Sequence, residues 1–309
     1  MKNREAIAII SIIIANMIFG STIIATKIIL NTGFPVLFLL AWRMTIAALS
    51  LSILFAFHIF KGNITWPRLK KLLPLGLISP CLYFTAESIG IQMTSGAISG
   101  SILAMIPIAT LLISQLTFKE KHPRLQIAAI LLSIAGVILI TLAGDCELVF
   151  DPLGYLALFI AVGAAAYYQT RIRVYAQSYT SLEITLGTTI IAAVVFTLLA
   201  IAQAAAAHTL PLLLQLPLIQ PQILLWIIFL AVVSSIGAYS LFHYSISVIG
   251  PTRNSVFVGV STLTSIICGI VVLHEVVSWP QLAGAAMVIT GTWAANHYAL
   301  PLPKTTSTP

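Results

Sequence analysis

The chain has 309 residues, 59% of them hydrophobic and only 7% charged, whereas soluble domains carry about a quarter charged residues, so an ordinary soluble protein is excluded in favour of an integral membrane one. In such a chain the formal charge of +7 records orientation rather than nucleic-acid binding. Three cysteines, Cys81, Cys146 and Cys268, are odd in number and widely spaced, which argues against a disulfide framework and against a metal site.

A helix rising 1.5 Å per residue needs about 20 apolar residues to cross roughly 30 Å of hydrocarbon. Ten runs satisfy this, at about 6–30, 34–60, 72–92, 96–118, 124–143, 152–172, 181–202, 223–246, 251–273 and 279–299. The first is too long for a signal-peptide core and lacks a small-residue cleavage pattern, so it reads as a retained span. With the N-terminus in the cytoplasm, every lysine and arginine except Lys27 and Arg43 falls on the inner side, while Asp145, Glu147, Asp151 and Glu275 fall outside. An odd number of spans would scramble that alternation, so the pattern predicts ten spans with both termini cytoplasmic in a bacterial-type inner membrane. The connection 203–222 holds Pro211, Pro217 and Pro221, which forbid a continuous helix and predict a segment lying along the outer interface. Residues 300–309 read as a disordered cytoplasmic tail.

An internal repeat is visible in the rarer residue types. Glu120 and Glu275, Gln126 and Gln281, and Gly136 and Gly291 are each 155 positions apart. Five spans per unit is odd, so the second unit must insert upside down, the usual construction of secondary transporters. The fold expected is all-α and membrane-embedded, with ten helices as two inverted five-helix repeats, 1–143 and 152–299.

The pieces "NMIFGSTIIATK", "WRMTIAAL", "MTSGAISGSILAMIPIATLL" with "FKEK", and "VLHE" with "QLAGAAMVITGT" together resemble the EamA branch of the drug/metabolite transporter superfamily across nearly the whole chain. The resemblance implies two five-helix repeats, a central substrate cavity and movement of small metabolites or drugs, frequently outward. Two positions depart from the family pattern. Phe19 stands where members often have tryptophan, and Thr262 stands at the repeat position of Pro107, so a straighter ninth helix is expected.

Three charges are expected in the outer third of the membrane. By helical rise, Glu87 lies about 8 Å and Arg43 roughly 13 Å inside the outer boundary, with Lys27 shallower. An unpaired charge in hydrocarbon costs about 2.5 to 3.5 kcal/mol, so Glu87 is expected to pair with Arg43, Lys27 or both. The plain alternatives are a structural ion pair and a Lys27 that reaches the interface. Tyr83, Glu87, Gly90 and Thr94 share one helix face, as do Ser235, Tyr239, His243 and Ser247 on the eighth span and Asn16, Gly20 and Lys27 on the first. Polar faces of spanning helices look inward, so these stripes, with Trp42 and Tyr168, are the expected cavity wall. Arg253 and Asn254 begin the ninth span and are expected to gate the cytoplasmic mouth. Pro80 and Pro107 should bend their spans, and Gly96 and Gly100 form a close-packing pair.

A buried carboxylate at Glu87 could exchange a proton for substrate. It could instead hold an amine among aromatic rings, or with Arg43 receive a zwitterion such as an amino acid. The function expected is a secondary exporter of amino acids, amines or drugs by alternating access. Its partners would be a small-molecule substrate, the lipid bilayer and protons as coupling ion, without cofactor or nucleic acid. The alternative is a membrane-embedded enzyme or flippase acting on lipid-linked substrates. An enzyme would need a convergent acid, base, nucleophile or metal set, and the sequence has neither HExxH nor an Asp-rich motif.

Overall fold

The computed structural model describes residues 2–57, 62, 65–93, 102–103, 105–119, 122–143, 151–209, 211, 221–273 and 278–299. Within the helices, the side chains of residues 2, 3, 23, 24, 27, 31, 91, 92, 141, 265, 266, 269, 270, 272, 273 and 296 are not described. The described elements are all helical.

In chain order they are α1 (Lys2–Asn31), α2 (Val36–Ala56), and α3 (Trp66–Gly76), which runs through a π segment (Leu77–Leu82) into α4 (Tyr83–Met93). Next come α5 (Ile106–Phe118), α6 (Arg124–Leu142), α7 (Pro152–Tyr175) and α8 (Ser181–Ala206). Then α9 (Pro221–Ile228) runs through a second π segment (Phe229–Ala238) into α10 (Tyr239–Ile249), followed by α11 (Pro251–Val256), α12 (Val258–Leu273) and α13 (Trp279–His297).

The sequence sets the helix ends chemically. Asp151 caps α7, its Oδ1 accepting from the backbone N–H of Leu153 at 2.9 Å and of Gly154 at 3.4 Å. Thr180 and Glu183 form a capping box at the start of α8, the reciprocal arrangement that satisfies two orphan donors. Gly250 has φ of 82° between α10 and α11, a conformation that costs little only without a Cβ.

Six helical stretches among the described residues are long and apolar enough to cross a membrane: Arg4–Thr22, Val36–Ala56, Trp66–Gly90, Pro152–Tyr175, Ser181–Ala206 and Pro221–Ile249. Ile106–Phe118 and Arg124–Ile140 are apolar but shorter. The large apolar side chains left exposed, such as Leu116 at 82% and Trp279 at 84%, suit hydrocarbon rather than water. Pro107 sits in the first turn of α5, where a missing N–H is harmless, so it starts a helix instead of bending one. The ninth run is not straight. It divides at Phe257, whose N–H bonds the Asn254 carbonyl at 3.2 Å and whose carbonyl accepts from Val260 at 2.9 Å, both three-residue turns tighter than an α-helix. Gly96 and Gly100 lie outside the described residues.

Close packing is concentrated between α6 and α13. A Cβ on Gly136 would stand 2.6 Å from the Gly284 carbonyl oxygen, and one on Gly291 would stand 2.6 Å from the Ser133 nitrogen. The two backbones therefore touch, as small residues permit where lipid offers no hydrophobic drive. The largest buried cluster joins α1, α2, α7, α8 and α10, and the polar site lies within it. On the side predicted to be cytoplasmic, Arg68 of α3 reaches the turn before α8, donating to the Ser178 carbonyl at 2.8 Å and to Glu183 Oε2 at 3.3 Å.

Candidate functional site

Two interrupted helices form the site. In the first, Ser79 has extended backbone angles (φ −147°, ψ 124°) before Pro80, a kink of the sort proline produces. In the second, the Ser235 hydroxyl donates to the Leu230 carbonyl five residues back, at 3.0 Å. That wider π turn brings two consecutive serines to one partner. Arg43 of α2 donates from Nε to Ser235 Oγ at 2.9 Å and from an η nitrogen to Ser234 Oγ at 3.0 Å. Its guanidinium carbon is 4.8 Å from the Phe84 ring centroid, a cation–π contact.

Glu87, on the helix that carries Phe84, is half-buried. Its Oε1 accepts from the Tyr83 hydroxyl one helical turn back, at 2.6 Å. Among the described residues no ion pair joins Glu87 to Arg43, one of the two partners expected for it. Depth fixes only the position along the membrane normal, and Arg43 turns towards the two serines while Phe84 covers its face. The Lys27 side chain lies outside the described residues, so its expected pairing falls there too.

An aromatic chain connects the two charges to the rest of the site. Tyr83 and Phe84 have centroids 5.2 Å apart, Phe84 and Tyr239 6.3 Å, and Tyr239 and Phe19 5.1 Å. Beneath them is a small cavity bordered by Met44, Pro80, Phe84, Tyr168, Ser235, Tyr239 and three threonines of α8, Thr185, Thr188 and Thr189.

His243 is fully buried, and its surroundings determine its tautomer. Thr185 donates its single hydroxyl proton to the Ser181 carbonyl at 2.8 Å. It must therefore accept from His243 Nδ1, 2.9 Å away, and from the Ser240 hydroxyl at 3.2 Å. With Nδ1 protonated, Nε2 accepts from the Tyr168 hydroxyl at 2.8 Å. Every atom of the Thr185–His243 contact is then satisfied, and α7, α8 and α10 are joined at one point.

The structure thus gathers Arg43, Tyr83, Glu87, Tyr168, Tyr239 and His243. It does not gather all the residues named from the sequence. Asn16 is buried but donates to the Ile12 carbonyl of its own helix at 2.9 Å, and Gly20 of the same face packs on the Ser261 backbone of α12. Trp42 is half-buried against the central cluster and does not border the cavity. Gly90 packs against Leu158, Thr94 lies outside the described residues, and Ser247 is exposed with its hydroxyl on the Tyr244 carbonyl at 2.7 Å. Four-residue steps drift about 40° each on a 3.6-residue helix, which carries Ser247 off the face that Ser235 begins. Arg253 bonds Glu5 at 2.6 Å, and Asn254 is buried with neither amide atom bonded among the described residues.

Ser234, Phe84, Ser240 and the α8 threonines were not anticipated. The spacing of Ser181, Thr185, Thr188 and Thr189 is the one sequence signal that points to them. Among the described residues no three His, Cys, Asp or Glu side chains are grouped to hold a metal.

The profile of the EamA-like transporter family matches twice, over residues 6–142 and 152–296. An uncharacterized transporter, YcxC, of Bacillus subtilis is 31% identical over 297 residues, covering 96% of this chain and 95% of the relative. An uncharacterized transporter of Archaeoglobus fulgidus is 22% identical over 242 residues, 78% of this chain and 82% of that one. A solved crystal structure superposes with a TM-score of 0.76 at 17% identity, covering 96% of this chain and 97% of its own, a likeness of fold.

Proposed function

Because the chain belongs to the EamA-like transporter family, a multi-pass membrane family of transporters rather than enzymes, we propose that it moves small zwitterionic metabolites, amino acids in the first instance, by alternating access. The direction is outward across an inner membrane, ten spans cross it as two inverted five-helix repeats, and both termini are cytoplasmic.

The single observation that carries this reading is the separation of Arg43 from Glu87. Had the two neutralised each other, the pair would be architecture. Instead each retains bonding capacity. A guanidinium has five N–H donors and Arg43 uses two of them on serines. Glu87 accepts from Tyr83 through Oε1, and among the described residues its Oε2 has no partner, which makes that atom the one offered to a ligand. An ammonium on Glu87 and a carboxylate on Arg43 is the arrangement that two opposite charges across an aromatic wall receive. Tyr83 and Tyr239 would cover the ligand's stem. When the ammonium leaves, a proton is its natural replacement on the carboxylate, which supplies a route for proton coupling.

The test is efflux and uptake in proteoliposomes with labelled amino acids, the corresponding amines and cationic drugs, with and without a pH gradient. Zwitterions should move, and Glu87→Gln should slow them by about tenfold or more, the effect of losing one charge-assisted bond. Amine drugs transported equally well by wild type and Glu87→Gln, with no amino acid transported, would defeat the proposal.

A further inference from the structure

Five buried side chains carry polar atoms with no hydrogen-bond partner among the described residues: Ser114 Oγ on α5, Gln169 Oε1 on α7, Ser245 Oγ on α10, and on α11 Thr252 Oγ1 and both amide atoms of Asn254. None is more than 4% exposed. Buried polar groups are nearly always paired in folded proteins, and each exception calls for an explanation.

Helical rise places the five at about one depth of the bundle. Tyr168 and His243 are bonded; Gln169 is one residue from the first and Ser245 two from the second, so both lie within about 3 Å of that bond along their helices. Arg173 of α7 stacks on Phe118 of α5, its guanidinium carbon 4.5 Å from the ring centroid. One turn back on each helix, on the same faces, are Gln169 and Ser114. The helix α11 packs against α5, α7 and α10, and its Val256 shares a buried cluster with Leu111 of α5. Asn254 is two residues from Val256 as Ser114 is three from Leu111, which brings Asn254 level with Ser114. Beyond this layer, the Arg253–Glu5 ion pair at 2.6 Å ties α11 to the N-terminal end of α1.

We propose that this layer is a second substrate station, on the cytoplasmic side of the cavity, which holds the same zwitterion through neutral hydrogen bonds while the Arg253–Glu5 pair closes the passage to the cytoplasm. The assignment of the zwitterion rests on the reading of Glu87 and Arg43 given above. The chemistry of the layer fits that class. The three hydroxyls and the Asn254 amide N–H donate to a carboxylate, and the Gln169 and Asn254 side-chain carbonyls accept from an ammonium. A bare metal cation fits less well, because the guanidinium of Arg173 lies one turn from Gln169 and the Asn254 amide also presents donors. Without a formal charge in the layer itself the hold is weaker than at Glu87, which suits a station that a substrate passes through.

The test uses full-length protein with its native cysteines replaced, carrying Asn254→Cys or Ser114→Cys, in proteoliposomes. A membrane-impermeant methanethiosulfonate reagent should label the new cysteine from the Glu5 side only. Labelling should rise about tenfold when Arg253→Ala or Glu5→Gln removes the ion pair, and an equimolar mixture of common L-amino acids should slow it. In parallel, Gln169→Leu with Asn254→Leu should lower the maximal transport rate about tenfold while shifting the half-saturating concentration at the outer face less than about twofold. No labelling of either cysteine in any background, or unchanged transport in the double variant, would overturn the station. Labelling that the amino acids leave unaffected, with Glu87→Gln transporting normally, would instead overturn the reading of the outer site while leaving an accessible inner layer. Labelling unaffected by the amino acids while Glu87→Gln is defective would overturn the inner station alone.

Discussion

The two interrupted helices invite comparison because the 155-residue offset superposes them. Adding it to Leu77–Leu82 gives 232–237, inside the second π segment Phe229–Ala238. Both halves break a helix at the same depth of the sequence repeat, yet they fill the break differently. The first has Pro80, Phe84 and Glu87; the second has Ser235, Tyr239 and Phe242 at the corresponding positions. The first interruption gives Pro80 and Phe84 to the cavity wall, with Glu87 one turn beyond, bonded to Tyr83. The second supplies hydroxyls that hold a guanidinium from α2 and, about two turns later, an imidazole held by Tyr168 and Thr185. Residues of both breaks border the cavity, and under the proposed function the first half would face the ligand while the second serves as scaffold.

The largest effect should come from moving the acid. Glu87→Phe combined with Phe242→Glu keeps the composition and should still lose transport by roughly 10- to 100-fold, as for a lost charge-assisted contact. Recovery of near wild-type efflux would show the halves to be equivalent. Next, Tyr168→Phe removes the donor to His243 Nε2 and leaves a buried acceptor unsatisfied, which should cost about 1–3 kcal/mol. A lowered thermal midpoint in detergent checks it, with His243→Gln in the same background restoring little. Ser235→Ala takes one of the two serines from Arg43 and should cost about 1 kcal/mol, read as a few-fold slower transport with unchanged folding. Smallest of all, Arg68→Ala breaks a partly exposed link between α3 and the α7–α8 turn and should change stability by less than about 1 kcal/mol, measured by the same thermal midpoint.

The all-helical, membrane-embedded class was legible in the sequence. Apolar run length marked the six helical stretches long enough to cross a membrane, and the family resemblance and the double family match agree on the class of protein. Helical spacing correctly grouped Tyr83 with Glu87, which are bonded across one turn. Depth arithmetic was less informative. It placed Arg43 beside Glu87, but depth carries no information on direction around the helix, and the π turn that offers Ser234 and Ser235 together has no signature in residue spacing. The same drift that takes Ser247 out of the site makes any four-residue stripe unreliable beyond two turns. The contact of Arg253 with Glu5, and the common depth of Ser114, Gln169, Ser245 and Asn254, depend on the register of five separate helices, which a single sequence does not specify. Asn254 and Arg253 were singled out by position alone, and the structure gives one an ion-pair partner and the other none.

The central claim is that Glu87 meets the ammonium of the substrate. Its most direct test is a cycle in proteoliposomes that pairs wild type and Glu87→Gln with an amino acid and its deaminated analogue. If the ammonium and the carboxylate touch, removing either should slow transport about tenfold and removing both should add little further, since the two changes delete one interaction. Losses that multiply, or an amino acid carried equally well by both proteins, would contradict it.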